Sequence, residues 1–477
     1  MSDKLRLYIL TDTHYVSPRL WEEGKPINDR EKGDQIALKC TPQIMDTFFD
    51  KIIADKDTPH VLITGDLVNN GTKIGHEDFR KALKKLTDAG KKVYVVPATH
   101  DYCGENENGD ENIFHATRYT ATGSEPTERV SRPEIDHLYD DFGPNYADSI
   151  DSESFSYSLA PEKGYRLIVI NDNGNGRSHC GLFEEGFKWL KGEIEKAKEK
   201  GERVMLAVHH PVLPPWEIYR QAADFECFGG YEELKKLMCE TGVRVVFTGH
   251  THVQNISRYE DEKGRYFYDV ATTALPSAAG KMRLVECTDD VCRVSSIGIE
   301  TINGVDTNGL SAYEYIYGLN FGGAFENAFP YAGTDWDKFV EGASGLLGGG
   351  LLNDKKKLMQ KGMKFLGSAK MSLVAKLGGK NCGLSKDEKK ALKNVNVTEV
   401  LFNILRHVFP GNGVYTPETA EFKALDGVLK RADKLLDLIH FDRNKFVGGM
   451  GTLEETAIPF LYNNRTGDDD NLTFNLR

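Results

Sequence analysis

The first hundred residues alternate strand and helix, and this constrains the fold more than any other feature of the chain. Residues 5–10, 60–64 and 92–96 are short runs rich in Leu, Ile, Val and Tyr. Between the first two, Ile44, Phe48, Phe49 and Ile52 recur at the spacing of one helix face, with Thr41 read as an N-cap and Pro42 at the first helical position. A second amphipathic run covers 77–88 and stops near Gly90. Strand–helix–strand–helix–strand predicts a layered α/β domain. In open α/β sheets the carboxyl ends of the strands are where ligands bind. Here all three ends are polar: Thr11-Asp12-Thr13-His14, Gly65-Asp66, and Thr99-His100-Asp101.

The alternation continues. A strand at 166–170 runs into Asn171-Asp172-Asn173-Gly174, and a helix over 183–200 follows. A strand at 204–208 ends in His209-His210-Pro211, a helix covers 231–240, and a strand at 243–248 ends in Gly249-His250-Thr251-His252. Four short alternating strands come next, at 253–259, 265–270, 282–287 and 292–299. The stretch 103–136 is polar and reads as a surface insertion near the site, with Arg118, Arg129 and Arg132 as candidates to grip a second phosphate or a carboxylate. From 304 the pattern is helical and punctuated by glycine, as in the run 342–352. Helices are expected at 335–347, 355–377, 397–409 and 416–439, the last capped by Thr416 ahead of Pro417. The organisation expected is a domain over 1–303 and a helical extension over 304–477.

The 477 residues exceed what one core accommodates. A formal net charge of −12 argues against nucleic acid as a partner. The first residues carry no apolar leader, and no run approaches the length of a membrane span, so a cytoplasmic location is expected. The eight cysteines lack the paired spacing of a zinc or redox motif, and Cys287 and Cys292, flanking a turn, are expected to be reduced.

The strand-end residues Asp12, His14, Asp66, His209, His250 and His252 are all carboxylate or imidazole. That mixture suits Mn, Fe or Zn in a catalytic setting rather than a structural zinc site. In Gly249-His250-Thr251-His252 the two imidazoles, at i and i+2 of an extended segment, can face one point. Two metal ions bridged by one carboxylate would activate water and clamp a phosphoryl group.

Five ordered motifs carry a resemblance: Asp12-Thr13-His14, Gly65-Asp66, Ala98-Thr99-His100-Asp101, His209-His210-Pro211 and Gly249-His250-Thr251-His252. Over about residues 5–300 the chain resembles the calcineurin-like metallophosphoesterases, which include bacterial-type Ser/Thr phosphatases and phosphodiesterases. The resemblance implies a four-layer α/β/β/α sandwich, with the C-terminal, mainly helical extension outside it. It implies that Asp12, His14 and His252 bind a first metal, that Asp66 bridges, and that His209 and His250 bind a second. His210 is then a packing or substrate-facing neighbour. His100 would be the positively charged partner of the phosphate, or the acid for the leaving oxygen, with Asp101 orienting it. The expected reaction is hydrolysis of a phosphate ester by in-line attack of a metal-bound hydroxide, on a phosphorylated small-molecule or phosphoprotein substrate.

The chain departs from the family pattern at two places. Thr99 stands where the family has an Asn whose amide oxygen binds the second metal, and Ala98 replaces the preceding Gly. Weaker occupancy of the second site is therefore expected. Asn69 stands where purple acid phosphatases carry a Tyr, so no purple iron centre is expected. Two alternatives follow from particular residues. Thr99 admits a catalytically weakened scaffold acting as a binding module. The basic stretch 355–377, with Met359, Met363, Leu366, Leu373 and Leu377 on one face, admits docking on a membrane surface, against the plainer reading that this face packs on the protein.

Overall fold

The computed structural model describes residues 3–103, 115–173, 180–216, 226–347, 356–439, 451–462 and 466–477. Two sheets stack face to face. In the first, β1 (Lys4–Leu10), β2 (His60–Thr64) and β3 (Lys92–Val96) run parallel, and β13 (Lys281–Thr288) and β14 (Val291–Gly298) extend the other side antiparallel. In the second, β8 (Tyr165–Ile170), β9 (Arg203–Val208), β10 (Val245–Thr248) and β12 (Tyr266–Ala271) are parallel, and β11 (Asn255–Glu260) and β7 (Tyr157–Leu159) pair antiparallel outside them.

Alternation along the strands builds the layers. Leu5, Leu7 and Ile9 of β1 point between the sheets, where they meet Leu167, Val169, Met205, Ala207 and Phe247. Tyr8 and Leu10 point outward against Ile44, Phe48, Phe79 and Leu83 of the helices Thr41–Ala54 and Lys73–Asp88. On the other side, Ile168, Leu206 and Val246 meet Leu190, Ile194 and Met238 of Glu184–Glu199 and Tyr231–Thr241. The expected α/β/β/α four-layer sandwich is the observed fold.

Several local expectations change. The polar stretch after Trp21 contains a helix, Lys25–Lys32. Thr41 is itself the first helical residue, and its hydroxyl serves Val16 N–H and the Leu38 carbonyl instead of a cap. The helix expected over 355–377 breaks into Lys356–Ser368 and Met371–Gly378, because Met371 N–H donates to the Val395 carbonyl and Val397 N–H to the Ala369 carbonyl. On its first half, Met359 and Met363 pack against the cluster of Phe325, Trp336 and Phe339. The helix expected from Thr416 starts at Ala420, capped by Thr419. Helices run from Ala312 to Leu461, and then β15 (Leu472–Asn475) returns to the first sheet beside β14. Cys287 and Cys292 face each other across β13 and β14 as free thiols. In the insertion, 104–114 fall outside the described residues; a hairpin, Thr117–Tyr119 with Ser124–Pro126, and the helix Arg132–Leu138 follow. Gly174 and 348–352 of the expected glycine-rich run also lie outside them. Among the described residues no helix is long and apolar enough to cross a membrane.

Candidate metal centre

Six strand ends from the two sheets converge on one edge of the sandwich. Asp12 and His14 follow β1, Asp66 follows β2, and Thr99–Asp101 form a 3-10 turn after β3. Asp172 follows β8, His209 and His210 follow β9, and His250 and His252 follow β10. In one half, His14 Nε2 lies 3.0 Å from His252 Nε2 and 3.8 Å from Asp12 Oδ1, and His252 Nε2 lies 3.4 Å from the same oxygen. Donors sharing one ion at about 2.0–2.2 Å have such separations. Asp66 stands between the halves, its Oδ2 3.8 Å from His14 Nε2 and 3.2 Å from His209 Nε2. In the other half, His209, His210 and His250 bring one ring nitrogen each within 4.8 Å of one another.

These residues fit a metal pair. Asp12 Oδ1 is buried and takes part in no hydrogen bond, although nitrogens of His14, His209 and His252 lie within 4.0 Å of it. Lone pairs converging on one buried point need a cation to satisfy them. The charge balance agrees. Burial would raise the Asp12 and Asp66 carboxyls, but His209 above all, with His252 beside Asp12 and His100 beside Asp66, holds both well below the usual range. Burial would lower His209, yet Asp66 and Asp12 push it up to about 10. Two buried carboxylates thus hold positive charge at the spot a metal would fill, and the all-nitrogen-and-oxygen donor set suits Mn, Fe or Zn.

The backbone is shaped for this site. Asp12, His14, Asp66, His250 and His252 all have φ between 38° and 68°, in the left-handed region. Such conformations cost non-glycine residues on the order of 1–3 kcal/mol each and persist where surroundings enforce them. The glycine of Gly249-His250 is steric: a Cβ there would lie 1.9 Å from Thr11 Oγ1 and 2.5 Å from Asp12 Oδ2. At Gly65, φ +88°, a Cβ would sit 2.4 Å from His209 Nδ1.

Outer partners aim the ligands. His209 Nδ1 donates to the Thr64 carbonyl at 2.8 Å, which leaves Nε2 for the ion. Asp12 Oδ2 accepts from Thr11 Oγ1 and from His250 N–H, at 2.6 and 3.0 Å. Asp66 Oδ1 accepts His100 N–H at 2.9 Å. His250 Nε2 meets Glu226 Oε2 at 3.2 Å.

The roles expected of His100 and Asp101 need correction. Asp101 does not orient the His100 ring. Its carboxylate accepts the backbone N–H groups of Ala98 and Val68, at 2.7 and 2.8 Å, and so ties the loops after β2 and β3 together. The ring of His100 is held by Asn70 Oδ1, 2.8 Å from Nδ1, and lies 4.7 Å from that of His14. Burial pushes the His100 pKa down to about 3 against the pull of Asp66. Thr99 is half-buried at the start of the same turn. Two of the three candidate arginines of the insertion are engaged elsewhere: Arg118 pairs with Glu22 and Glu125, and Arg132 with Asp136. Asn70, Asp172 and Glu226 were absent from the expected site. Only Asp172 carried a signal, its place at a strand end.

Residues 5–254 match the model of the calcineurin-like phosphoesterase family, and the chain belongs to that family. Among curated proteins it is 26% identical over 203 residues to "Probable glycerophosphodiester phosphodiesterase GpdQ" of Arcobacter nitrofigilis, covering 40% of this chain and 56% of that one. It is 28% identical over 121 residues to human sphingomyelin phosphodiesterase, covering 22% and 16%. The chain thus spans about half or less of the length of these relatives. Among solved structures, a dimetal phosphatase from Danio rerio aligns with 14% identity and TM-score 0.41, over 62% of this chain and 96% of that one.

Proposed function

We propose that the protein hydrolyses phosphate esters at a two-metal centre, with Asp12, His14 and His252 holding one ion, His209 and His250 the other, and Asp66 shared. The observation that carries the reading is the position of Asp66, whose Oδ2 lies 3.8 Å from His14 Nε2 and 3.2 Å from His209 Nε2. A pair of divalent ions supplies Lewis acidity toward a phosphoryl oxygen and makes water nucleophilic at neutral pH.

The chain's own residues do the rest. Thr64, Thr11 and Glu226 keep His209, Asp12 and His250 in place. His100, fixed by Asn70, stands beside the bridging carboxylate, where its ring can hydrogen-bond the phosphoryl or leaving oxygen. The activities named for both curated relatives are phosphodiester cleavages, so a diester is the substrate class we infer. The test is turnover of bis(4-nitrophenyl) phosphate and 4-nitrophenyl phosphate by metal-stripped protein, with Mn, Fe, Zn or Co restored. Metal-dependent release of nitrophenol, faster from the diester, is expected. No turnover of either ester with any metal overturns the reading, and faster monoester turnover overturns the diester assignment.

A further inference from the structure

The family resemblance makes His210 a packing or substrate-facing neighbour of His209, and the structure gives it the surroundings of a ligand. It is fully buried, as is Asp172. Its Nδ1 lies 3.0 Å from Asp172 Oδ2, and its backbone N–H donates to the same oxygen at 3.2 Å. A carboxylate held on one ring nitrogen fixes the tautomer and leaves the lone pair on the other, as in metal-bound histidines. That other atom, Nε2, is buried and has no hydrogen-bond partner. The His210 ring centroid is 4.2 Å from that of His250 and 4.9 Å from that of His209. A purely packing histidine would have its second nitrogen satisfied or exposed, since a buried polar atom without a partner is costly.

We propose that His210, oriented by Asp172, is an additional nitrogen donor to the second metal, occupying the place in its coordination for which Thr99 brings a hydroxyl instead of an amide. The assignment deepens the two-metal reading and rests on it. It makes the second site a three-imidazole site built on His209, His210 and His250, with Glu226 holding His250 from outside. Such a donor set favours Zn, Co or Fe over Mg or Ca.

The test reads metal binding, not turnover. Metal-stripped protein is titrated with Co²⁺ and followed by calorimetry and by the visible absorption of the bound ion. The wild type should bind two ions. In His210→Ala the second should bind about tenfold or more weakly, with altered absorption, while the first changes by less than about twofold. Adding Thr99→Asn to His210→Ala should recover most of the loss. Should His210→Ala not fold, as judged by circular dichroism, Asp172→Asn carries the test, with an expected weakening of about tenfold at the second site only. A second-site affinity unchanged within about twofold overturns the proposal. A wild type that binds one ion also overturns it, and if that form still hydrolyses phosphate esters the phosphoesterase reading survives without the second ion.

Discussion

The two halves of the proposed metal centre are shaped by different means. In the first half, Asp12, His14 and His252 are all in the left-handed backbone region, and their donors lie 3.0 to 3.8 Å apart. The loops are bent until the side chains meet. In the second half only His250 is in that region; His209 and His210 are not, and their aim comes from partners on Nδ1, the Thr64 carbonyl and the Asp172 carboxylate. The first site is therefore shaped mainly by bent backbone, the second mainly by hydrogen bonds on the rings of His209 and His210.

Asp66 stands between the halves, within 3.8 Å of His14 Nε2 and 3.2 Å of His209 Nε2, and in the proposed centre removing its charge should have the largest effect. Asp66→Asn should lower the rate with bis(4-nitrophenyl) phosphate about a thousandfold, several kcal/mol of transition-state stabilisation. It should weaken both ions together in a Co²⁺ titration. Loss of one ion alone would show that the halves do not share this carboxylate.

Separating the halves comes next. His252→Ala should abolish tight binding of the first ion, about a hundredfold or more in affinity, since its Nε2 is one of three donors spaced within 3.8 Å. His250→Ala should cost the second ion less, about tenfold, if His209 and His210 remain to hold it. Equal losses in the two variants would erase the distinction drawn between the halves.

How much of this was legible in the sequence follows the same division. Strand period and strand-end polarity are local, so the α/β alternation and the convergence of Asp12, His14, Asp66, His209, His250 and His252 at strand ends could be read from the sequence, while the four layers and the role of each residue came from the family resemblance. The outer partners could be read from neither. Asn70 reaches His100 across 30 residues, and Glu226 reaches His250 across 24, contacts that no periodicity announces. Asp101 misled for the opposite reason. Its place next to His100 suggested a pair, but in a 3-10 turn neighbouring side chains point apart, and the carboxylate instead serves Ala98 and Val68. The break at Ala369–Lys370 was hidden because a helical pattern yields there to backbone pairing with 395–397, a tertiary competitor. The return of β15 was hidden because four residues carry too little pattern to stand out from a helical extension.

The finest distinction concerns Thr99. A neutral hydroxyl is a poorer donor than an amide carbonyl, so Thr99→Asn should tighten the second ion. With His210 intact the gain should be small, about threefold and under about 1 kcal/mol, because an imidazole already fills the coordination. The first ion should be unaffected, since its donors come from the loops after β1 and β10 and not from the turn after β3. Calorimetric titration of the single variant beside the wild type measures this. A gain far above threefold would mean that the second half lacks a donor in the native chain. An unchanged second-site affinity would take residue 99 out of the second half altogether, and leave the imbalance between the halves to be explained by backbone strain alone.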